Sequence, residues 1–256
     1  MTPAAAPILS ADQLEVRRRD RREGRRYHMV ASTIRLCDGD RYALAAPNGA
    51  GKSTLLALLS LVLAPDSAAH FAMRLDDDTE VDLVARAGRA GGRLLQALRA
   101  REIGAIRHAG VEAPFLSVHD HVALRLRLAG NDDRSAAATT LDTLDLSPLQ
   151  HAKPSALSQG QRQRMVIAAA LAPRPRLVFA DEPTAALDAE WGPRVMALLA
   201  QYRPAHGRGA VLVATHDPAL AAAAGFTVLR PHGHAMEADG EVRWTFAIGH
   251  GEPARA

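Results

Sequence analysis

The stretch from 41 to 64 constrains the fold of this chain more than any other. A short apolar strand, "RYALAAP" (41 to 47), runs into a Gly-rich turn and then into "KSTLLALLSLVLA" (52 to 64), which has the apolar density of a buried helix and is closed by Pro65. In the turn, Gly49 and Gly51 let backbone N–H groups face an anion. Lys52 adds a cation that reaches β and γ phosphates, and Ser53 adds a hydroxyl for Mg²⁺ at the helix N-terminus. Asn48, Gly49, Ala50, Gly51, Lys52, Ser53 and Thr54 are therefore expected to cradle a nucleoside triphosphate. The usual GxxxxGK pattern opens with glycine where this chain has Ala46. That methyl matters only if the backbone takes a positive φ there.

Two further buried strands are legible. "RLVFADEP" (176 to 183) ends in Asp181 and Glu182, and "GAVLVATHDP" (209 to 218) ends in His216. Buried strands alternating with helices imply a parallel α/β sheet, with function at the carboxyl ends of the strands. Adjacent strand residues point in different directions, so one of the two carboxylates is expected to serve Mg²⁺ while the other faces an attacking water. His216, at a strand end, could contact a γ phosphate and position that water. Ser158 is a good N-cap for a helix over 159 to 172, and Gly160 leaves the first amides open, which makes an anion site.

About a hundred residues separate the first and second of these strands, too many for a loop. Helical segments at 93–102, 118–130 and 133–146 place a mainly helical insert at about 107 to 154. After His216, "FTVLRP" and "GEVRWTFAIG" (240 to 249) read as a terminal hairpin. With 256 residues, the chain suits one large domain. A formal charge of +3 names no nucleic-acid partner. A single cysteine, Cys37, suits a reducing compartment. The longest apolar run, Leu55 to Ala64, falls short of the roughly 20 residues that cross a bilayer. The first residues, with Asp12 and no basic region before an apolar core, do not read as a signal peptide.

The block "LSQGQRQRMVIAAALAPRPRLVFADEPTAALD" (157 to 188) resembles the signature, Walker B and D-loop of ATP-binding cassette ATPases. The phosphate loop matches at 46–54, the signature at Leu157 to Gln161, the D-loop at Ala186 to Asp188 and the switch histidine at His216. The likeness runs from about 25 to 220. It implies a P-loop NTPase core with a parallel sheet, an N-terminal antiparallel β subdomain and a helical subdomain. The corresponding boundaries are about 8–106 and 155–225 for the core with its β subdomain, 107–154 for the helical part and 226–256 for the C-terminal hairpin and tail. It also implies ATP and Mg²⁺ as cofactors. Lys52, Glu182 and His216 would be catalytic, and Ser53 with Asp181 would hold the metal. Ser158, Gly160 and Gln161 would close over nucleotide bound by a neighbouring copy, so that two ATP molecules are sandwiched in a head-to-tail dimer. A separate transmembrane permease would then hold the dimer at the cytoplasmic face of the membrane.

Two positions depart from the family's pattern. His108 stands where a glutamine usually meets Mg²⁺ and water, and an imidazole there adds pH sensitivity. The aromatic that stacks adenine falls near Arg22 or Glu23, and Tyr27 comes later, so that role has no residue assigned. "RRRDRREGRR" (17 to 26) reads first as a solvated turn, with base or headgroup contact as the other reading. "QRQR", "ADEPTAALD" and "PFLSVHDHVAL" lean toward the branch that serves lipoprotein release and macrolide export. The competing readings are a soluble cassette acting on DNA or ribosomes, and a regulator that no longer turns over. The first would carry coiled coils or two cassettes. Retention of Lys52, Asp181, Glu182 and His216 argues against the second.

Overall fold

The structure is a computed structural model that describes residues 6–19, 26–86, 92–107, 113–205, 207–236 and 241–249. Its centre is a five-stranded parallel sheet. The strands are β3 (Arg41–Ala45), β6 (Ile103–Ile106), β7 (Leu177–Asp181), β8 (Ala210–Thr215) and β9 (Thr227–Leu229), in the order β6-β7-β8-β3-β9. Strict alternation sends each strand's side chains to two cores. Leu177, Phe179, Leu212 and Ala214 enter one, while Val178, Ala180, Val211 and Val213 enter the other, and all eight are buried.

The first core lies between this sheet and a second one, with helix α1 (Lys52–Leu59) between them. Leu55, Leu56, Leu58 and Leu59 of α1 are buried because the helix is covered on both sides. The second sheet begins with β1 (Leu9–Arg19) and β2 (Arg26–Leu36), antiparallel over their whole length, with Leu9 opposite Leu36 and Arg19 opposite Arg26. Strands β4 (His70–Arg74) and β5 (Glu80–Asp82) extend it on one side. On the other side it is extended by β10 (His232–Met236) and β11 (Glu241–Ile248).

The second core holds the remaining helices, except that α2 (Gly92–Arg101) packs on the first through Leu98. Helices α3 (Val118–Leu128) and α4 (Arg134–Thr143) pack on α5 (Gln159–Leu171), burying Val122, Leu126, Ala137, Leu141, Met165 and Ile167 in one cluster. The two remaining helices are α6 (Trp191–Ala200) and α7 (Pro218–Ala223). The expected helices of the 107–154 insert are thus present from Val118 on, and Ser117 and Asp133 cap them.

The expected terminal hairpin needs correction. Thr227–Leu229 does not pair with residues 241–248 but joins the parallel sheet beside β3. Buried Phe226 and partly buried Val228 hold it to the second core, and Pro231, which has no N–H, follows its end. The hairpin partner of β11 is β10, with His232 opposite Thr245 and Met236 opposite Glu241. Strand β11 then runs parallel to β2, with Trp244 opposite Met29 and Phe246 opposite Ala31.

Candidate active site

The carboxyl ends of β3 and β7 and the N-terminus of α1 open into one cavity of about 400 Å³. Asn48, Gly49, Ala50, Gly51, Lys52, Ser53 and Thr54 line it together with Asp181 and Glu182. Gly49 and Gly51 both take left-handed backbone, φ 82° and 88°. Ala46 does not. The position where the usual glycine is missing therefore needs none, and the two glycines that are present are the ones the turn requires.

Lys52 is 7% exposed and donates from Nζ to the carbonyls of Ala46 at 2.5 Å and Pro47 at 3.3 Å. The ammonium thus braces the loop from inside. Among the described residues its hydrogen-bond partners are neutral carbonyls, which leaves the charge available to an incoming anion.

At the end of β7 the two carboxylates separate as strand geometry requires. Asp181 Oδ1 is buried with no hydrogen-bond partner among the described residues. Burying an acceptor without a partner is costly, which marks the atom as awaiting a ligand. Asp181 and Ser53 also line a smaller cavity between α1 and the ends of β6 and β7. Glu182 follows with φ 48°, a left-handed backbone uncommon outside glycine. It is held there by its N–H, which donates to Ala214 O at 2.9 Å, and by buried Gln163, whose amide donates to Pro183 O at 3.3 Å. This turn aims the carboxylate at His216. The backbone N–H of His216 donates to Glu182 Oε2 at 3.2 Å, and its ring Nδ1 lies 2.6 Å from the same oxygen. Residues 34 positions apart thereby form a dyad at the cavity rim.

Ser158, Gly160 and Gln161 do not line this cavity. Ser158 and Gln161 form a reciprocal cap, with Gln161 N–H donating to Ser158 Oγ at 3.2 Å and Ser158 N–H donating to Gln161 Oε1 at 2.9 Å. A Cβ on Gly160 would stand 3.3 Å from Ala186 O, so the small residue lets the D-loop lie against the first turn of α5. His108 lies outside the described residues, as do Arg22 and Glu23.

The far end of the cavity is lined by Arg18, from the arginine-rich segment for which base contact was the second reading, and by Val16, Tyr27, Met29 and Trp244, which no motif marks. The available signal was the alternation of Val242, Trp244, Phe246 and Ile248, which predicts a strand with one apolar face.

The family described as ABC transporter matches residues 31–185. The lipoprotein-releasing system ATP-binding protein LolD of Hyphomonas neptunium is 33% identical over 212 residues, covering 77% of this chain and 86% of that protein. The macrolide export ATP-binding/permease protein MacB of Chromobacterium violaceum is 36% identical over 193 residues, and the match spans 74% of this chain but only 28% of that protein. Both names fall in the lipoprotein-release and macrolide-export branch toward which the sequence leaned. Among solved structures, the dimeric ATP-binding cassette MJ0796, in a post-hydrolysis state bound to ADP and Pi, has a TM-score of 0.69 at 25% identity. That match covers 91% of this chain and 96% of the cassette. Phosphate loop, paired strand-end carboxylates and rim histidine, on a sheet shared with a solved cassette, agree with the family match: the chain belongs to the ABC transporter family, as one of its ATP-binding cassettes.

Proposed function

We propose that this chain is the ATP-hydrolysing subunit of a transporter, that it binds Mg-ATP between two copies arranged head to tail, and that its turnover drives a separate membrane permease. The observation that carries this reading is the single cavity that joins the amide-rich loop 48–54 to Asp181 and Glu182, with His216 bonded to Glu182. On this reading the loop amides and Lys52 bind the phosphates. The partnerless Asp181 Oδ1 and the Ser53 hydroxyl are hard oxygen donors at one place, which fits a Mg²⁺ site. When bound there, the ion would neutralise charge on the β and γ oxygens. Glu182 accepts the proton of the attacking water, and His216 holds that carboxylate and the water in line.

The second half of each site comes from the other copy. Ser158 is exposed at the positive end of α5, outside its own chain's cavity, where it would close over the γ phosphate held by the partner. Similarity to a dimeric cassette supports this arrangement. Among the described residues no helix is long and apolar enough to cross a membrane, so in this reading the membrane part is the permease. The helical segment at about 107–154 would dock it, placing the chain at the cytoplasmic face. Purified Lys52→Ala tests the core of the proposal. Loss of the cation at the phosphates should lower ATP turnover by about 100-fold or more, and wild-type turnover in that variant would refute it.

A further inference from the structure

The end of the cavity away from the phosphate loop is built from three strands whose cross-strand partners fall into rows on one face. The lowest row is Leu14, Ala31 and Phe246, all fully buried. Above it come Val16, Met29 and Trp244, and above those Arg18 and Tyr27. The lowest rows reach beneath the loop: a Cβ on Gly51 would meet Met29 Cγ at 3.3 Å and Phe246 Cε2 at 3.9 Å. One step up the face, two residues along each strand, is about 7 Å. The cavity wall thus changes, within the length of a nucleoside, from backbone amides suited to phosphate into an apolar face. That face has an indole and a phenol partly exposed on it and a guanidinium at its rim.

We propose that Trp244, contributed by the C-terminal strand β11, is the platform on which the base of the bound nucleotide stacks, with Tyr27 and Arg18 bounding the slot. This rests on the nucleotide reading above and extends it. Residues 241–249, which sequence patterning places in a hairpin outside the nucleotide-binding core, become part of the binding site. Strand β11 is placed to do this because it pairs with β2 in parallel, which sets Trp244 beside Met29 and turns it to the loop side of the sheet. A π-face reads no base edge, so the contact supplies affinity.

The probes are ADP and inorganic pyrophosphate, which differ by the nucleoside alone. The chain has two tryptophans, so Trp191→Phe leaves Trp244 as the sole indole. In that full-length variant, ADP should change the indole emission over the same concentrations at which calorimetry shows binding, while pyrophosphate should bind without changing it. Trp244→Ala should weaken ADP by about 5- to 150-fold and leave pyrophosphate affinity unaltered, with Trp244→Phe retaining most of the ADP affinity. If Trp244→Ala fails to fold, the single-indole titration decides alone. Binding of ADP with no emission change, or an equal change with both probes, overturns the role of Trp244 and leaves the phosphate site standing. Failure of both probes to bind overturns the nucleotide site itself, and this proposal with it.

Discussion

Gly51→Ala and Ala46→Gly are opposite perturbations of one loop, and backbone geometry assigns them opposite outcomes. Gly51 sits at φ 88° and forms the N-cap of α1, where a Cβ would meet Met29 Cγ at 3.3 Å. Left-handed backbone costs an L-residue about 1–2 kcal/mol. The methionine contact requires a shift of only a few tenths of an ångström, which a flexible thioether supplies, so the total should be about 1–3 kcal/mol. For a chain of this size each kcal/mol lowers the melting midpoint by about 2–4 °C, so Gly51→Ala should melt about 2–12 °C below the wild type. The strain also turns the amides of 49–53 away from a common point, so ADP affinity in calorimetry should fall. Ala46→Gly relieves no strain because Ala46 is not left-handed. It only adds freedom to the unfolded chain, costs about 0.5–1 kcal/mol, and should leave ATP turnover unchanged. Wild-type melting and ADP affinity in Gly51→Ala, or a clear gain of turnover in Ala46→Gly, would refute the claim that backbone angle decides where this loop needs glycine.

Glu182→Gln keeps the shape of the rim dyad but removes the base, so turnover should fall by about 10²- to 10⁴-fold. With ATP present, size-exclusion chromatography should then show a dimer, and a monomer alone would count against the sandwich. Asp120 accepts hydrogen bonds from the hydroxyl of Ser117 at 2.7 Å and its N–H at 3.2 Å, and these hold its carboxyl below the usual range. Its folded-state pKa is depressed, so the stabilisation is complete above the ordinary value of 3.8 and is lost as pH falls through the folded one. Asp120 is half-exposed in the first turn of α3, so with solvent screening Asp120→Ala should be less stable by about 0.3–1 kcal/mol near neutral pH, with the gap closing on acidification in denaturant titrations. Trp191 is stacked between the guanidinium groups of Arg164 and Arg194, 4.0 Å and 3.9 Å from its ring centre. Phenylalanine keeps both faces, so Trp191→Phe should lose less than about 1 kcal/mol and Trp191→Ala clearly more, as read from melting curves.

The parts of the fold and site that were legible in the sequence share one property, that their signals are local. The phosphate loop, the strand ends at Asp181 and His216 and the cap at Ser158 are each specified by residues within a turn or two, and the structure places each where its local pattern indicates. What brings Glu182 against His216 is β7 pairing with β8, and both strands were visible as buried apolar runs. The C-terminus was not legible for the converse reason. "FTVLRP" and "GEVRWTFAIG" have similar strand propensity and a plausible turn between them, so proximity in sequence favours pairing them. Their partners are instead β3 and β2, near the start of the chain, and nothing in either segment encodes a partner some two hundred residues away. The choice is made by burial. Phe226 fits the helix-covered side of the parallel sheet, and Phe246 fits beneath Gly51. A strand whose register is set by the underside of the phosphate loop also has its next apolar residue, Trp244, fixed at the cavity wall. The residue hardest to place from sequence is thereby held to the site by the loop that was easiest to find.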